Sequence, residues 1–186
     1  MIREDKYLKE VLLSHEEIQK ICHEMGTQIT NDYQNNNDLL LIGLLKGCHP
    51  FMSDLVKHID LLFEIDYMDV SSFFGGIKAK DEVSIIKDLS TSVKDRDILI
   101  IEDIVDSGNT IKKVIDLLYF RGANSVEVAT LINKESGRKV DLSAKYIGYE
   151  VKDAFIIGYG LDYDEKYRNL CCVGIPKDEL IKEFEE

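Results

Sequence analysis

No stretch of this chain is apolar over the roughly 20 residues that a membrane helix needs, and no secretory leader is legible in it. The four cysteines, Cys22, Cys48, Cys171 and Cys172, include no C-x-x-C pair, so a reducing cytoplasm is the expected setting. The four histidines, His15, His23, His49 and His58, have no H-x-x-x-H spacing and suit surface or cap positions rather than zinc. Basic residues are scarce too: 23 Lys and Arg against 35 Asp and Glu leave a formal charge of -12. That balance argues against nucleic acid or an anionic membrane as the main partner and favours small ligands or proteins. Any phosphate ligand must then be held by backbone N–H groups, a few basic side chains or a divalent metal, against the overall field. Repeats, low-complexity tracts and linkers rich in Pro, Gly or Ser are also missing. A single domain over residues 1–186 is expected.

What is present reads as alternating helices and strands. Ser14 and Glu17 make a capping box, and Ile18, Ile21, Cys22, Met25 and Ile29 recur on one helical face, predicting a helix from about Ser14 toward Asp32. Residues 39–44 are a continuous apolar run, the pattern of a strand covered on both faces. Pro50 suits a first helical turn, with Phe51, Leu55 and Ile59 along one side of a second helix. Residues 63–70 and 83–86 predict strands around a glycine-containing, charged loop at 71–82, and 98–101 is a second fully apolar strand. A helix from Thr110, ended by Gly122, leads to a strand at 126–132. Further strands are expected at 146–149, 155–159 and 171–175, before an acidic C-terminal helix. This order predicts an α/β domain with a largely parallel sheet and a ligand at the carboxyl ends of its strands.

The run Glu102-Asp103-Ile104-Val105-Asp106-Ser107-Gly108-Asn109-Thr110 sits between a buried strand and a helix, where such a sheet builds its site. Ser107, Gly108, Asn109 and Thr110 offer hydroxyls and open amides at a helix N-terminus, which favours a phosphate monoester. Glu102 and Asp103 would repel that phosphate at close range and are expected to face sugar hydroxyls or a magnesium ion. A plain helix start, with Asp106 or Ser107 as the cap, needs fewer carboxylates than the three present here.

This segment resembles the phosphoribosyl-diphosphate signature of the type I phosphoribosyltransferases: an apolar strand, two adjacent acids, then D-[ST]-G-x-T. Leu45-Lys46-Gly47, Val70-Ser71-Ser72, Ile85-Ile86-Lys87-Asp88-Leu89, Asn133-Lys134 and the run from Phe155 to Leu170 extend the resemblance to the bacterial hypoxanthine-guanine phosphoribosyltransferases over nearly the whole chain. The resemblance implies a type I fold with a small hood and a mobile lid loop at 71–82. It also implies magnesium as cofactor, phosphoribosyl diphosphate, hypoxanthine and guanine as substrates, and a homodimer or homotetramer.

By the same resemblance, Glu102, Asp103, Asp106, Ser107, Gly108, Asn109 and Thr110 bind the phosphoribosyl group, and Asp106 is the candidate general base near purine N7. Lys46, Gly47, Ser72 and Arg168 meet diphosphate, with a cis peptide implied at Leu45–Lys46. Lys134 donates to the purine 6-oxo group, Phe155 stacks on the ring, Ile156 offers backbone groups and Asp162 lies near guanine. Glu102, Asp103 and Asp162 are the metal candidates. Without the resemblance, Lys46 and Lys134 read as solvated lysines, Phe155 as core and Arg168 as a surface residue. The family usually has Ser-Tyr in the lid, whereas Ser72 is followed here by Phe73 and Phe74, removing one phenol from the diphosphate. The competing readings are a xanthine-preferring enzyme, a nucleotide-sensing regulator of the same fold, which would need a basic face, and a receiver-like phosphoacceptor.

Overall fold

A computed structural model describes residues 6–36, 38–71 and 84–182, without the side chains of Ser71 and Lys182. The expected lid therefore lies outside the described residues, with Ser72, Phe73, Phe74 and Val83. The backbone of Ser71 closes the preceding strand.

Six strands build the central sheet in the order β4-β3-β2-β5-β6-β7. They are β2 (Leu39–Leu45), β3 (Glu64–Ser71), β4 (Ser84–Lys87), β5 (Asp97–Val105), β6 (Ser125–Asn133) and β7 (Tyr146–Glu150). All neighbours run parallel except β3 and β4, so β4 is an antiparallel edge. The apolar runs fall where a strand must be covered twice, because successive side chains point to opposite faces. Leu39, Leu41, Leu99 and Ile101 pack on one face with Ile18, Cys22, Ile29, Phe51 and Met52, from α1 (His15–Tyr33) and α2 (His49–Leu55). Leu40, Ile42, Ile98 and Ile100 pack on the other with Ile111, Val114 and Leu118 of α3 (Asn109–Phe120).

Local chemistry sets the helix ends. Ser14 and Glu17 form the expected reciprocal capping box, a motif whose cap contributes about 1 kcal/mol. Behind α3, Gly122 turns left-handed at φ 90°; its N–H donates to Tyr119 O and that of Ala123 to Leu118 O, the paired bonds of a Schellman stop. The second helix is shorter than expected: α2 ends at Leu55, a 3₁₀ turn covers Val56–His58, and Ile59 is buried but extended.

Two corrections concern the hood. β1 (Leu8–Leu13), unforeseen in the sequence, pairs antiparallel with β8 (Val173–Pro176) to make a second, two-stranded sheet. Residues 155–159 do not form the expected strand. They make only isolated bridges, Ile157 with Gly174 and Gly158 with Leu161, because Gly158, Tyr159 and Gly160 all have positive φ (100°, 48° and 100°) and turn the chain out of any ladder. Leu8, Ile157, Leu170 and Cys172 make a small core under this hood. The C-terminal helix α4 is described over Asp178–Lys182.

Candidate active site

The acidic pair lies within β5 rather than in the turn after it. Pairing with β6 continues through Glu102–Thr130 and Ile104–Ile132 to Val105–Asn133, so the parallel ladder holds the chain extended past both acids. Alternation then sends Glu102 and Asp103 to opposite sides of the strand.

Asp103 faces the loop after β2. It is 9% exposed, and a Cβ added to Gly47 would lie 1.8 Å from its Oδ2, so this approach requires glycine. Burial pushes the Asp103 carboxyl up to about 6, against the lowering influence of its hydrogen bond from the Ile104 N–H and of Arg168. Glu102 faces the other way. With Ile104, Asp106, Ser107, Gly108, Thr110 and Ile111 it lines a cavity of about 140 Å³ at the start of α3. Its Oε2 is buried with no hydrogen-bond partner, and burial, reinforced by the Asp103 charge, holds the carboxyl well above the usual carboxylate range. Glu102 thus shares a cavity with the turn residues, whereas Asp103 does not line it. A carboxyl driven toward its neutral form can donate a hydrogen bond where an ionised one would repel.

The turn itself departs from a plain cap. Gly108, at φ 77°, is the N-cap of α3, and no side chain caps the helix. Ser107 Oγ accepts only a long bond from the Asn109 N–H, at 3.4 Å, and the first turn carries no acid. An anion can therefore meet the helix start directly. Asn109 opens the helix and does not line the cavity. The Asp106 carboxylate stands beside Gly137, where an added Cβ would come within 1.6 Å of Oδ1.

Of the predicted diphosphate residues, Lys46, Gly47 and Arg168 lie near Asp103, while Ser72 is outside the described residues. The Leu45–Lys46 peptide is cis. Lys46 Nζ reaches Glu165 at 3.0 Å, and the same Glu165 oxygen lies 3.3 Å from Arg168. Arg168 also pairs with Asp162 at 2.9 Å and donates to Gly160 O at 2.8 Å, while its Nε is buried without a partner. Gly160 presses on the Gly47 carbonyl, so the hood turn and the β2 loop are in contact. Below it, the Tyr159 hydroxyl donates to Asp54 at 2.6 Å, and Asp54 also accepts from Gln19 and Lys57.

On the purine side, Lys134 follows β6, and its N–H donates to Val105 O at 2.9 Å. Its ammonium is paired with exposed Asp153 at 3.0 Å and is not simply solvated. Phe155 is 48% exposed and packs T-shaped against Tyr163, so part of the ring remains open to a ligand. Ile156 is buried in the core beneath it. Among the described residues, no three His, Cys, Asp or Glu converge on one metal position, so Glu102, Asp103 and Asp162 do not form a ready-made cage. Sequence reasoning passed over Gly137, Arg138, Asp153 and Glu165; only the Gly-Arg pair soon after Lys134 could have drawn notice.

Comparisons with known proteins agree with this geometry. Residues 10–164 match the family described as phosphoribosyl transferase domain. The chain is 52% identical over 173 residues to a hypoxanthine-guanine phosphoribosyltransferase of Staphylococcus aureus, covering 93% of this chain and 96% of that one. It is 53% identical over 170 residues to the enzyme of the same name from Bacillus subtilis, covering 91% and 94%. Among solved structures, a hypoxanthine phosphoribosyltransferase from Staphylococcus aureus superposes with a TM-score of 0.90 at 51% identity, covering 95% of each chain. The hypoxanthine phosphoribosyl transferase of Trypanosoma cruzi superposes with a TM-score of 0.92 at 32% identity, covering 99% of each.

Proposed function

The chain belongs to the phosphoribosyl transferase family, and on that premise we propose that it is a purine salvage enzyme moving 5-phosphoribosyl from phosphoribosyl diphosphate to hypoxanthine or guanine. The products are IMP or GMP and diphosphate. The observation that carries this reading is the uncapped start of α3, where Ser107, Gly108 and Thr110 line a cavity roofed by a carboxyl held toward neutrality.

In the reaction the bond from ribose C1 to diphosphate breaks and one from C1 to a purine nitrogen forms. The leaving group keeps the electron pair, and positive charge gathers on the sugar. This chain's residues act by position and charge. Ser107, Gly108, Asn109 and Thr110 hold the 5-phosphate, Glu102 and Asp103 flank the ribose, and Asp106 accepts the proton that the purine loses. Lys46, Gly47, Ser72 and Arg168 meet the diphosphate, which must displace Glu165 from the two cations. Lys134 donates to the 6-oxo group; an amino group there would set donor against donor. Phe155 stacks on the ring, with Ile156 and Asp162 at its edge.

Magnesium fits these residues as a partly formed site. Asp103 and the nearby Asp162, with Glu102 on the other side of the strand, supply hard oxygen donors, and the lack of a three-carboxylate cage among the described residues suits an ion that takes most of its ligands from substrate and water. When bound, it neutralises charge on the diphosphate. We read residues 1–186 as one domain in the cytoplasm, a setting that the four free thiols suit. Exposed Leu62, Ile86 and Phe120 offer apolar surface that a homodimer or homotetramer could cover. The -12 charge argues against nucleic acid, and no described helix is long and apolar enough to cross a membrane.

Purified protein with magnesium, phosphoribosyl diphosphate and hypoxanthine is expected to release diphosphate, and Asp106→Asn to remove nearly all of that turnover. Absence of release with both hypoxanthine and guanine would refute the assignment. A panel including xanthine ranks the three bases.

A further inference from the structure

Among the described residues no donor reaches the Asp106 side chain, so its position is inherited from its backbone, and that backbone is held from outside the turn. The holder is Arg138, five residues past Asn133 at the end of β6. Its Nε donates to Asp106 O at 3.0 Å, one terminal nitrogen reaches Val105 O at 3.4 Å and Asn133 Oδ1 at 2.5 Å, and the other donates to Leu142 O. The second link is itself anchored. Buried Asn133 gives its amide hydrogens to both oxygens of Glu150, at 2.9 and 3.0 Å, on the end of β7. One guanidinium thus ties the carboxyl ends of β5 and β6 together, and Asn133 carries the link on to β7. Two main-chain bonds run alongside it, from the Lys134 N–H to Val105 O and from the Lys139 N–H to Ser107 O. Gly137 leaves just enough room for the Asp106 carboxylate beneath this strap.

We propose that Arg138 is a positioning residue that locks the Asp106 turn to the Lys134 segment and thereby sets the separation between the two groups that address one edge of the purine. This inference rests on the function proposed above and deepens it. N7 and the 6-oxo group are neighbours on that edge, so base and specificity lysine must stay in register. Lysine cannot substitute at residue 138, because a point-like ammonium cannot meet acceptors spread around a planar fork.

The test is steady-state kinetics of Arg138→Ala and Arg138→Lys beside the native protein, with thermal melts and amide exchange over residues 103–112. An ångström-scale misplacement costs about 100-fold in rate, so kcat is expected to fall roughly 10- to 100-fold in both variants. The KM for hypoxanthine should move by less than about threefold. Millimolar ethylguanidinium should restore part of the turnover of Arg138→Ala, whereas ethylammonium should not, a discrimination that a purely structural defect would not produce. Exchange should quicken at 103–112 without a general loss of protection. Native-like kcat in either variant, or a loss that ethylguanidinium leaves unchanged, would overturn the proposal. Inactive native protein would instead overturn the functional reading beneath it.

Discussion

Replacing Asp103 with Asn should make the metal-free protein more stable above neutral pH while lowering its activity. In the folded protein, burial lifts the Asp103 carboxyl from 3.8 to about 6. The folded state therefore binds a proton more tightly than the unfolded chain does between those values. Its contribution to stability is greatest below about pH 4, falls as pH rises toward 6, and is level above that. A shift of roughly two units corresponds to roughly 3 kcal/mol at most. Asn keeps an oxygen to accept from the Ile104 N–H and loses only the charge. Because 1 kcal/mol moves the midpoint by roughly 2–4 °C at this size, the variant should melt up to roughly 10 °C higher at pH 8 and level with native near pH 4. The facing charges oppose one another, Arg168 lowering the carboxyl and Asp162 raising it to a smaller extent, and burial outweighs the groups that lower it. Scanning calorimetry in chelator from pH 4 to 8.5 reads the difference, and diphosphate release reads the lost turnover. A difference that does not vary with pH, or a variant that melts lower at pH 8, would refute the reasoning.

Gly47→Ala should cost about 1–3 kcal/mol by overpacking and sharply weaken use of phosphoribosyl diphosphate, because the new methyl meets the buried Asp103 carboxylate; calorimetry and KM for that substrate check both parts. Gly137→Ala should leave the melting point within a few degrees, since exposed Asp106 can swing aside, yet lower kcat roughly tenfold or more; an unchanged kcat would remove the packing argument. Tyr159→Phe should destabilise by about 1–3 kcal/mol, leaving part-buried Asp54 short of one donor, and should raise the KM for phosphoribosyl diphosphate because the Gly160 turn leans on Gly47. Denaturant unfolding and initial rates measure the two effects.

The features legible in the sequence were those whose cause is local. The Ser14–Glu17 box, the doubly covered runs in β2 and β5 and the glycine stop after α3 each depend on residues within a few positions of one another. The acidic run could be located from composition, but the sequence placed Glu102 and Asp103 in a turn. Pairing with Thr130 and Ile132, nearly thirty residues on, keeps them extended and parts them to opposite faces. The lid departure at Phe73 and Phe74 lies outside the described residues and stays an expectation. β1 was missed because LKEVLL lacks a clean alternation and its partner lies at the other end of the chain. An apolar start at Phe155 suggested a strand, and the positive φ values that follow it were not foreseeable from neighbours alone.

By itself the sequence determined the layer order, the two faces of the sheet and the strand whose end carries the acids, because periodicity and capping are set by short-range sterics and hydrophobic burial. Only the tertiary structure decided which side each carboxylate takes, that Gly47, Gly137 and Gly160 are points of contact, and that Arg138 joins the ends of β5 and β6. Those are meetings between residues far apart in the chain. Their existence depends on the register of the parallel sheet and the path of the hood, and no local pattern carries that information.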